Sequence, residues 1–142
     1  MKTLILILLA TSAIAQVKEP FKKANTVIIK TDNSEEENFL YFGRYLSQEG
    51  YVIENSNKDF LSLKTEMKAG AKFNSIYTLK VVFIDSEIRI NIDWTLDDYR
   101  FRDSLIEWEY SPSKINTNHK VWEHFKPVIE GFEGEVYYDK TG

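Results

Sequence analysis

Residues 75–95 read SIYTLKVVFIDSEIRINIDWT, and this stretch decides the fold. Its two halves, Ser75–Ile84 and Glu87–Thr95, flank the dipeptide Asp85-Ser86, where a two-residue turn would fix the register of an antiparallel ribbon. Directly opposed residues of such a ribbon lie on the same face of the sheet. The register places four apolar pairs on one face: Phe83 with Ile88, Val81 with Ile90, Leu79 with Ile92, and Tyr77 with Trp94.

The other face of the same ribbon is mostly polar. A slip of one residue would exchange the two faces and bury the charged side chains, so the pattern specifies the register strongly. The ribbon therefore predicts a sheet with one covered face and one face in water. The pairs on the hydrated face are Val82 with Arg89, Lys80 with Asn91, and Thr78 with Asp93.

The chain before the ribbon predicts a strand and a capped helix. Asn25–Thr31 is rich in β-branched residues and ends at a turn signal. Ser34 and Glu37 form a capping box in front of a helix over Glu35–Gln48. Because Gly43 lies on the apolar stripe of this helix, we expect a close approach of the helix to the sheet.

Three further segments alternate between apolar and polar residues with a period of two, which is typical of strands. The segments Tyr51–Asn55 and Asp59–Met67 predict two strands joined by a turn at Ser56-Asn57. Ile106–Tyr110 predicts a further edge strand.

The last element predicted is a helix that begins near Asn118. Apolar residues recur at helical spacing from there as far as Val136, and Pro127 is expected to kink or divide the helix. The element order is then β-α-β-β-β-β-(β)-α. This order predicts an α+β fold, a two-layer sandwich in which an antiparallel sheet of five to six strands carries two helices on one face.

The N-terminal residues have the features of a secretory signal. Met1-Lys2 precedes the apolar run Leu4–Ala10 and the small-residue motif Ala13-Ile14-Ala15, which predicts cleavage before Gln16. The expected divisions are a signal peptide at 1–15, a flexible lead-in at 16–24, a single domain at 25–138 and a tail at 139–142. No later segment approaches the roughly 20 apolar residues of a membrane helix. We therefore expect a periplasmic or secreted chain, and the absence of Cys excludes a lipoprotein.

Five segments carry a resemblance to a known family: Thr26–Ile29, the helix Glu35–Gln48, the return Gly50–Ile53, and the ribbon segments Tyr77–Val81 and Ile88–Ile92. In pattern and order they resemble small exported domains of unknown function, common in the Bacteroidetes, that have a TATA-binding-protein-like fold. The resemblance spans roughly residues 25–135 and implies a fold and an envelope location, with no catalytic residues to carry over. It does not imply DNA binding, because a fold does not determine a function.

Composition excludes several classes of function. The chain has 142 residues, no Cys, and 18 basic against 22 acidic side chains, for a net charge of −4. The acidic balance argues against a nucleic-acid partner, and the absence of Cys excludes thiolate nucleophiles and Cys-ligated metals. His119 and His124 lack the spacing of a zinc helix, and His119 with Glu123 is typical of an exposed polar pair. Neither a metal nor a cofactor is expected.

The first functional hypothesis is a noncatalytic binding or interaction domain with a protein or glycan partner in the envelope. An edge strand could also form a homodimer by extending the sheet. Exposed aromatic rings in the loop after the ribbon could stack on a sugar or enter a partner, although burial in the core is the commoner role of such rings. The candidate surface comprises Lys80, Arg89, Asn91 and Asp93 on the polar sheet face, and Tyr99, Phe101, Trp108 and Tyr110 in the aromatic loop.

The alternative hypothesis is a carboxylate-dependent hydrolase. Asp93, Asp97, Asp98 and Asp103 form an acidic cluster that could pair two carboxylates. Such an enzyme would use the loop Asp97 to Asp103 together with His119 or His124. A solvated loop rim is the simpler interpretation of these acids, so we expect a chain that is not an enzyme.

Overall fold

The computed structural model describes residues 16–70, 74–98, 100–101 and 103–141, so the expected signal peptide at 1–15 lies outside the described residues. Within these residues the fold is α+β, with one antiparallel sheet and two helices, but the sheet has eight strands rather than five or six. Neither helix within these ranges has the length and apolar character needed to cross a membrane. In chain order the elements are β1 (Thr26–Lys30), α1 (Glu35–Gln48), β2 (Ile53–Asn57), β3 (Ser62–Thr65), β4 (Lys68–Ala69), β5 (Ser75–Ile84), β6 (Glu87–Leu96), β7 (Ile106–Glu107), α2 (Thr117–Glu130) and β8 (Glu135–Asp139).

The strand order of the sheet is β2-β3-β5-β6-β1-β8, with β4 pairing with β5 and β7 pairing with β6. The β5–β6 ribbon has the predicted register, in which Val81 lies opposite Ile90 and Tyr77 opposite Trp94. On the far side of β6, Val27 of β1 pairs with Ile90. The first strand of the domain therefore lies inside the sheet, a position that the order of elements along the chain does not predict.

Both helices pack against the apolar face of the sheet, as the ribbon predicts. Val81 and Ile90 are 1% and 0% exposed. They belong to one apolar cluster with Phe42 and Leu46 of α1 and Phe125 of α2. Burial of apolar surface stabilises a fold by roughly 25 cal/mol per Å², so this layer between sheet and helices contributes most of the folding free energy.

The opposite face of the ribbon carries no helix within the described residues. Lys80 and Val82 are exposed on this face, and Arg89 is half-buried. Ile28 of β1 is fully buried here, between its cross-strand neighbours Arg89 and Tyr137. Side chains of the neighbouring strands therefore cover Ile28, the buried apolar residue on the hydrated face.

Helix α1 has the bounds that the capping pattern predicts. The hydroxyl of Ser34 accepts a hydrogen bond from the backbone N–H of Glu37 at 3.2 Å and donates to the Glu37 carboxylate at 3.2 Å. After the helix, Gly50 has a left-handed backbone with φ of 86°, a conformation that glycine adopts without steric cost. Both ends of α1 are therefore determined locally by the sequence.

The turn between β2 and β3 lies at residues 58–61, so the turn predicted at Ser56-Asn57 is wrong. The side-chain oxygen of Asn57 accepts hydrogen bonds from the backbone N–H groups of Asp59 and Phe60 at 3.0 and 3.1 Å. This Asx turn uses Asn57 as its first residue, which moves the turn toward the C-terminus and lengthens β2 to Asn57.

The C-terminal region also differs from the prediction. Helix α2 continues through Pro127 to Glu130 as one helix, so the expected division at the proline is absent from this part of the chain. Val136 is not part of the helix but lies on β8, which pairs with β1. Gly134, with φ of 149°, lies between the helix and the strand and marks the change from helical to strand periodicity.

The segments at either end of the domain are hydrogen-bonded to it. In the expected lead-in at 16–24, Val17 and Tyr138 exchange two backbone hydrogen bonds of 3.1 and 2.7 Å. In the expected tail at 139–142, the backbone N–H of Thr141 donates to the Asn25 side chain at 2.8 Å, and that side chain donates to the Thr141 carbonyl at 2.7 Å. Strand β8 itself extends one residue into the expected tail, to Asp139.

Candidate functional site

The four polar residues proposed on the hydrated sheet face lie together, but their charged and amide groups are bonded to neighbouring protein groups. Lys80 and Asp93 form an ion pair of 2.9 Å across the ribbon. Arg89 binds Glu87 at 2.9 Å, and the Asn91 amide donates to the Thr26 hydroxyl at 3.1 Å. These partners are internal to the sheet, so the charges that this face presents to a partner are largely neutralised.

The aromatic loop does not form one exposed surface. Trp108 is 0% exposed and its indole N–H donates to the Asn118 carbonyl at 2.8 Å, so its place in the candidate surface is wrong. It follows the short strand β7 and packs against Phe125 in the core, where a large ring contributes apolar area. Tyr110 is half-buried and Phe101 is 41% exposed. Tyr99, the fourth aromatic residue, lies outside the described residues.

The two histidines are both bonded, and the partners that the structure gives them lie outside the acidic loop. His119 is buried, with Nδ1 at 2.7 Å from the Ser111 carbonyl and Nε2 at 3.4 Å from Glu123. His124 has Nδ1 at 2.7 Å from the Tyr77 hydroxyl. Across residues 16–70, 74–98, 100–101 and 103–141, no three His, Asp or Glu side chains converge as a metal site would require.

Asp98, one acid of the predicted cluster, forms an ion pair with a neighbouring arginine. Its carboxylate lies 2.9 Å from the Arg100 guanidinium, and this hydrogen bond lowers the pKa of Asp98 below its usual value. A carboxylate kept ionised by an adjacent arginine is a poor general acid, since it holds no proton to donate near neutral pH.

A buried chain of hydroxyl and imidazole groups was not predicted from the sequence. The hydroxyls of Tyr51 and Tyr77 lie 2.6 Å apart, and that of Tyr77 also contacts His124. Burial raises the pKa of both tyrosines. Burial, with a smaller contribution from the positive charge of Lys68, lowers the pKa of His124. The chain joins the residues before β2 to β5 and α2. The sequence predicts Tyr77 only as an apolar partner of Trp94 in the ribbon, and Tyr51 only as the first residue of a strand.

An apolar groove lies between α1 and β2. This groove, named here the α1–β2 groove, has a volume of about 550 Å³. Gly43 of α1 borders the groove instead of making the tight helix-to-sheet contact expected from the sequence. A Cβ built on Gly43 would have one neighbour within 4 Å, the Leu63 Cδ2 atom at 3.7 Å. The groove is lined by Phe39, Leu40, Gly43, Arg44, Ser47 and Gln48 of α1, Ile53 and Ser56 of β2, and Leu63 of β3.

Strand β2, beside this groove, is an edge strand. Among the residues that the structure describes, β2 pairs only with β3. Four of its five residues are exposed. The opposite edge of the sheet, at β8, is partly covered because Val17 pairs with Tyr138. The outer N–H and C=O groups of β2 are therefore available to a further strand.

Comparison with known proteins adds no assignment to this geometry. No family model matches the chain. Comparison with curated proteins finds no chain of significant similarity. The functional argument therefore rests on the groove and the free edge of β2.

Proposed function

We propose that this chain is an exported, noncatalytic interaction domain that binds an extended polypeptide segment of a partner protein in the envelope. The observation that supports this function is the free edge of β2 lying directly beside the α1–β2 groove. An extended segment that adds a strand to a sheet edge gains main-chain hydrogen bonds, and pockets for alternate side chains give specificity. Strand β2 offers free main-chain groups at its outer edge, and the α1–β2 groove beside it offers the pocket.

The register of β2 assigns a direction to the side chains of a bound strand. Ser56 pairs with buried Leu63 and borders the groove, whereas Asn55 pairs with exposed Lys64 on the hydrated face. Neighbours on an added strand would point to these two sides in turn. Every second side chain of the bound segment would thus enter the groove, and the others would lie beside the hydrated face.

Two other hypotheses receive less support from the contacts. The hydrolase alternative requires His119 or His124 to act with the acids of the loop, yet these histidines contact the Ser111 carbonyl, Glu123 and the Tyr77 hydroxyl. A homodimer through β2 would use the same free edge. The β2 strand of a second copy, Ile53–Asn57, is mostly polar, so a partner segment with more apolar side chains would fill the groove better. Export remains part of the proposal and rests on the signal-like residues at 1–15.

Selection of binders from a random-peptide library tests the proposal, with the exported chain recovered from a bacterial periplasm as bait. Two variants carry the test, Asn55→Pro and Ser56→Pro. Consecutive residues of an edge strand direct their N–H groups alternately toward and away from the neighbouring strand. One proline therefore removes an outward N–H group, whereas the other breaks a bond to β3 and lowers the free energy of unfolding.

Of the two proline variants, we expect the one with the higher free energy of unfolding to be unable to bind the selected peptides. If that variant binds them as well as the unmodified chain does, strand addition at β2 is wrong. A chain that is dimeric by light scattering, and whose dimer dissociates on either proline substitution, would instead show that a second copy occupies the edge. Binding confined to glycans would likewise contradict a polypeptide partner.

A further inference from the structure

We infer that the polypeptide segment bound beside β2 is acidic as well as apolar, with a carboxylate that pairs with Arg44. This inference rests on the proposed function, because it assigns the chemistry of the segment that strand addition would capture. Three features of the groove support it: the apolar walls, the space at Gly43, and the cation at the rim.

The apolar residues that line the α1–β2 groove favour an aliphatic or aromatic side chain in the bound segment. Phe39, Leu40, Ile53 and Leu63 supply apolar surface, and Leu40 is 45% exposed in the free chain. Gly43 lines the groove without a side chain that would fill part of it. An apolar side chain of the bound segment would remove this surface from water, which favours binding by roughly 25 cal/mol per Å².

The rim of the groove carries one positive charge among its lining residues, Arg44. Arg44 is exposed, and within the described part of the chain it forms no ion pair. By contrast, Lys64 on the other side of β2 is paired with Glu54 at 3.5 Å. A guanidinium can bind a carboxylate through two parallel hydrogen bonds, so an acidic side chain of the bound segment is the complement of this rim.

The net negative charge of the chain does not oppose this pairing. The chain carries a net charge of −4. At physiological ionic strength the Debye length is about 8 Å, so distant acids are screened while a direct contact at Arg44 is not. The partner segment is therefore one with a carboxylate at the rim position, not a long polyacidic tract.

The test uses two end-capped probe peptides with Thr at every second position. The positions between, which share one face of an extended strand, hold Val and Glu in turn in one peptide (the Val-Glu peptide) and Val and Lys in turn in the other (the Val-Lys peptide). Each is titrated into the exported chain labelled with nitrogen-15, and the shifts of the β2 amide signals report binding at the edge. We expect the Val-Glu peptide to bind roughly fivefold more tightly than the Val-Lys peptide, a ratio typical of one exposed charge pair. In Arg44→Glu this preference should reverse. Lys114→Glu makes the same change in net charge outside the groove and should leave the preference unchanged.

The outcomes separate the inference from the proposed function. If both peptides shift the β2 signals with equal affinity and Arg44→Glu has no effect, the acidic specificity is wrong while strand addition stands. If the Val-Glu peptide binds without shifting β2 signals, or if neither peptide binds, the inference is overturned. In that case the peptides selected from the random library decide whether β2 binds a polypeptide of other chemistry.

Discussion

Substitution of Gly43 by Ala gives the sharpest prediction about the α1–β2 groove. Gly43 lies in the interior of α1, where glycine lowers helix stability by about 1 kcal/mol relative to alanine. The added Cβ would lie 3.7 Å from Leu63 Cδ2, which is an ordinary van der Waals contact. No steric penalty offsets the gain, so we expect Gly43→Ala to raise the free energy of unfolding by about 1 kcal/mol.

Thermal and urea denaturation followed by circular dichroism would measure this change. For a domain of this size, about 1 kcal/mol corresponds to a rise in the melting temperature of roughly 3–4 °C. Binding should change in the opposite direction, because the new methyl group would project from a residue that lines the groove. A more stable chain that binds its selected peptides more weakly is the combined result expected.

Gly131→Ala is the matched control, since Gly131 is the C-cap of α2. A Cβ there would lie 2.6 Å from the Tyr45 hydroxyl, which is bonded to the Val128 carbonyl, so this substitution should destabilise the fold. If Gly43→Ala also destabilises the chain, the helix packs on the sheet without the space described, and the groove does not exist in solution.

Three further substitutions test other parts of the structure. Tyr77→Phe removes the hydroxyl that contacts both Tyr51 and His124, and should lower the free energy of unfolding by about 1–3 kcal/mol in urea titrations. Because the pKa of His124 is lowered in the fold, the unfolded chain binds more protons, and stability should decrease as the pH falls below about 6.5; His124→Asn should remove this part of the decrease. Asn25→Ala breaks the bonds to Thr141 and should cost about 2–3 kcal/mol while exposing the C-terminal residues to carboxypeptidase.

Two exposed residues supply matched controls for Tyr77→Phe and Asn25→Ala. Tyr41→Phe and Asn55→Ala change exposed residues of the same types and should alter stability by less than about 0.5 kcal/mol. An unchanged stability of Tyr77→Phe would mean that the buried hydroxyl chain is not formed. A stability that is constant between about pH 7.5 and 5.5, above the usual range of carboxylates, would contradict the burial of His124.

The ribbon and α1 were predictable because their determinants are local. The turn at Asp85-Ser86 sets which residues oppose each other, and Ser34 with Glu37 sets where the helix begins. Strand β8 was missed because Val136 continues a helical spacing and also begins a strand alternation. Only its pairing with β1, far away in sequence, distinguishes the two.

The candidate site was less predictable than the fold. A glycine on the apolar stripe of a helix is compatible with a tight contact or with an open groove. The choice depends on where β2 lies relative to α1, and that position is a tertiary feature that the local pattern around Gly43 does not contain. The burial of Trp108 was likewise not predictable from its local sequence, because it depends on packing against Phe125 of α2.

Hydrogen exchange of the β2 amides, measured residue by residue with and without a selected peptide, tests the central claim most directly. In the free chain, amides of Ile53–Asn57 that face β3 should exchange slowly, and those on the outer edge should exchange fast. Peptide binding should slow the outer amides selectively. Outer amides that are already protected in the free chain, or that exchange at the same rate in the complex, would contradict strand addition at β2.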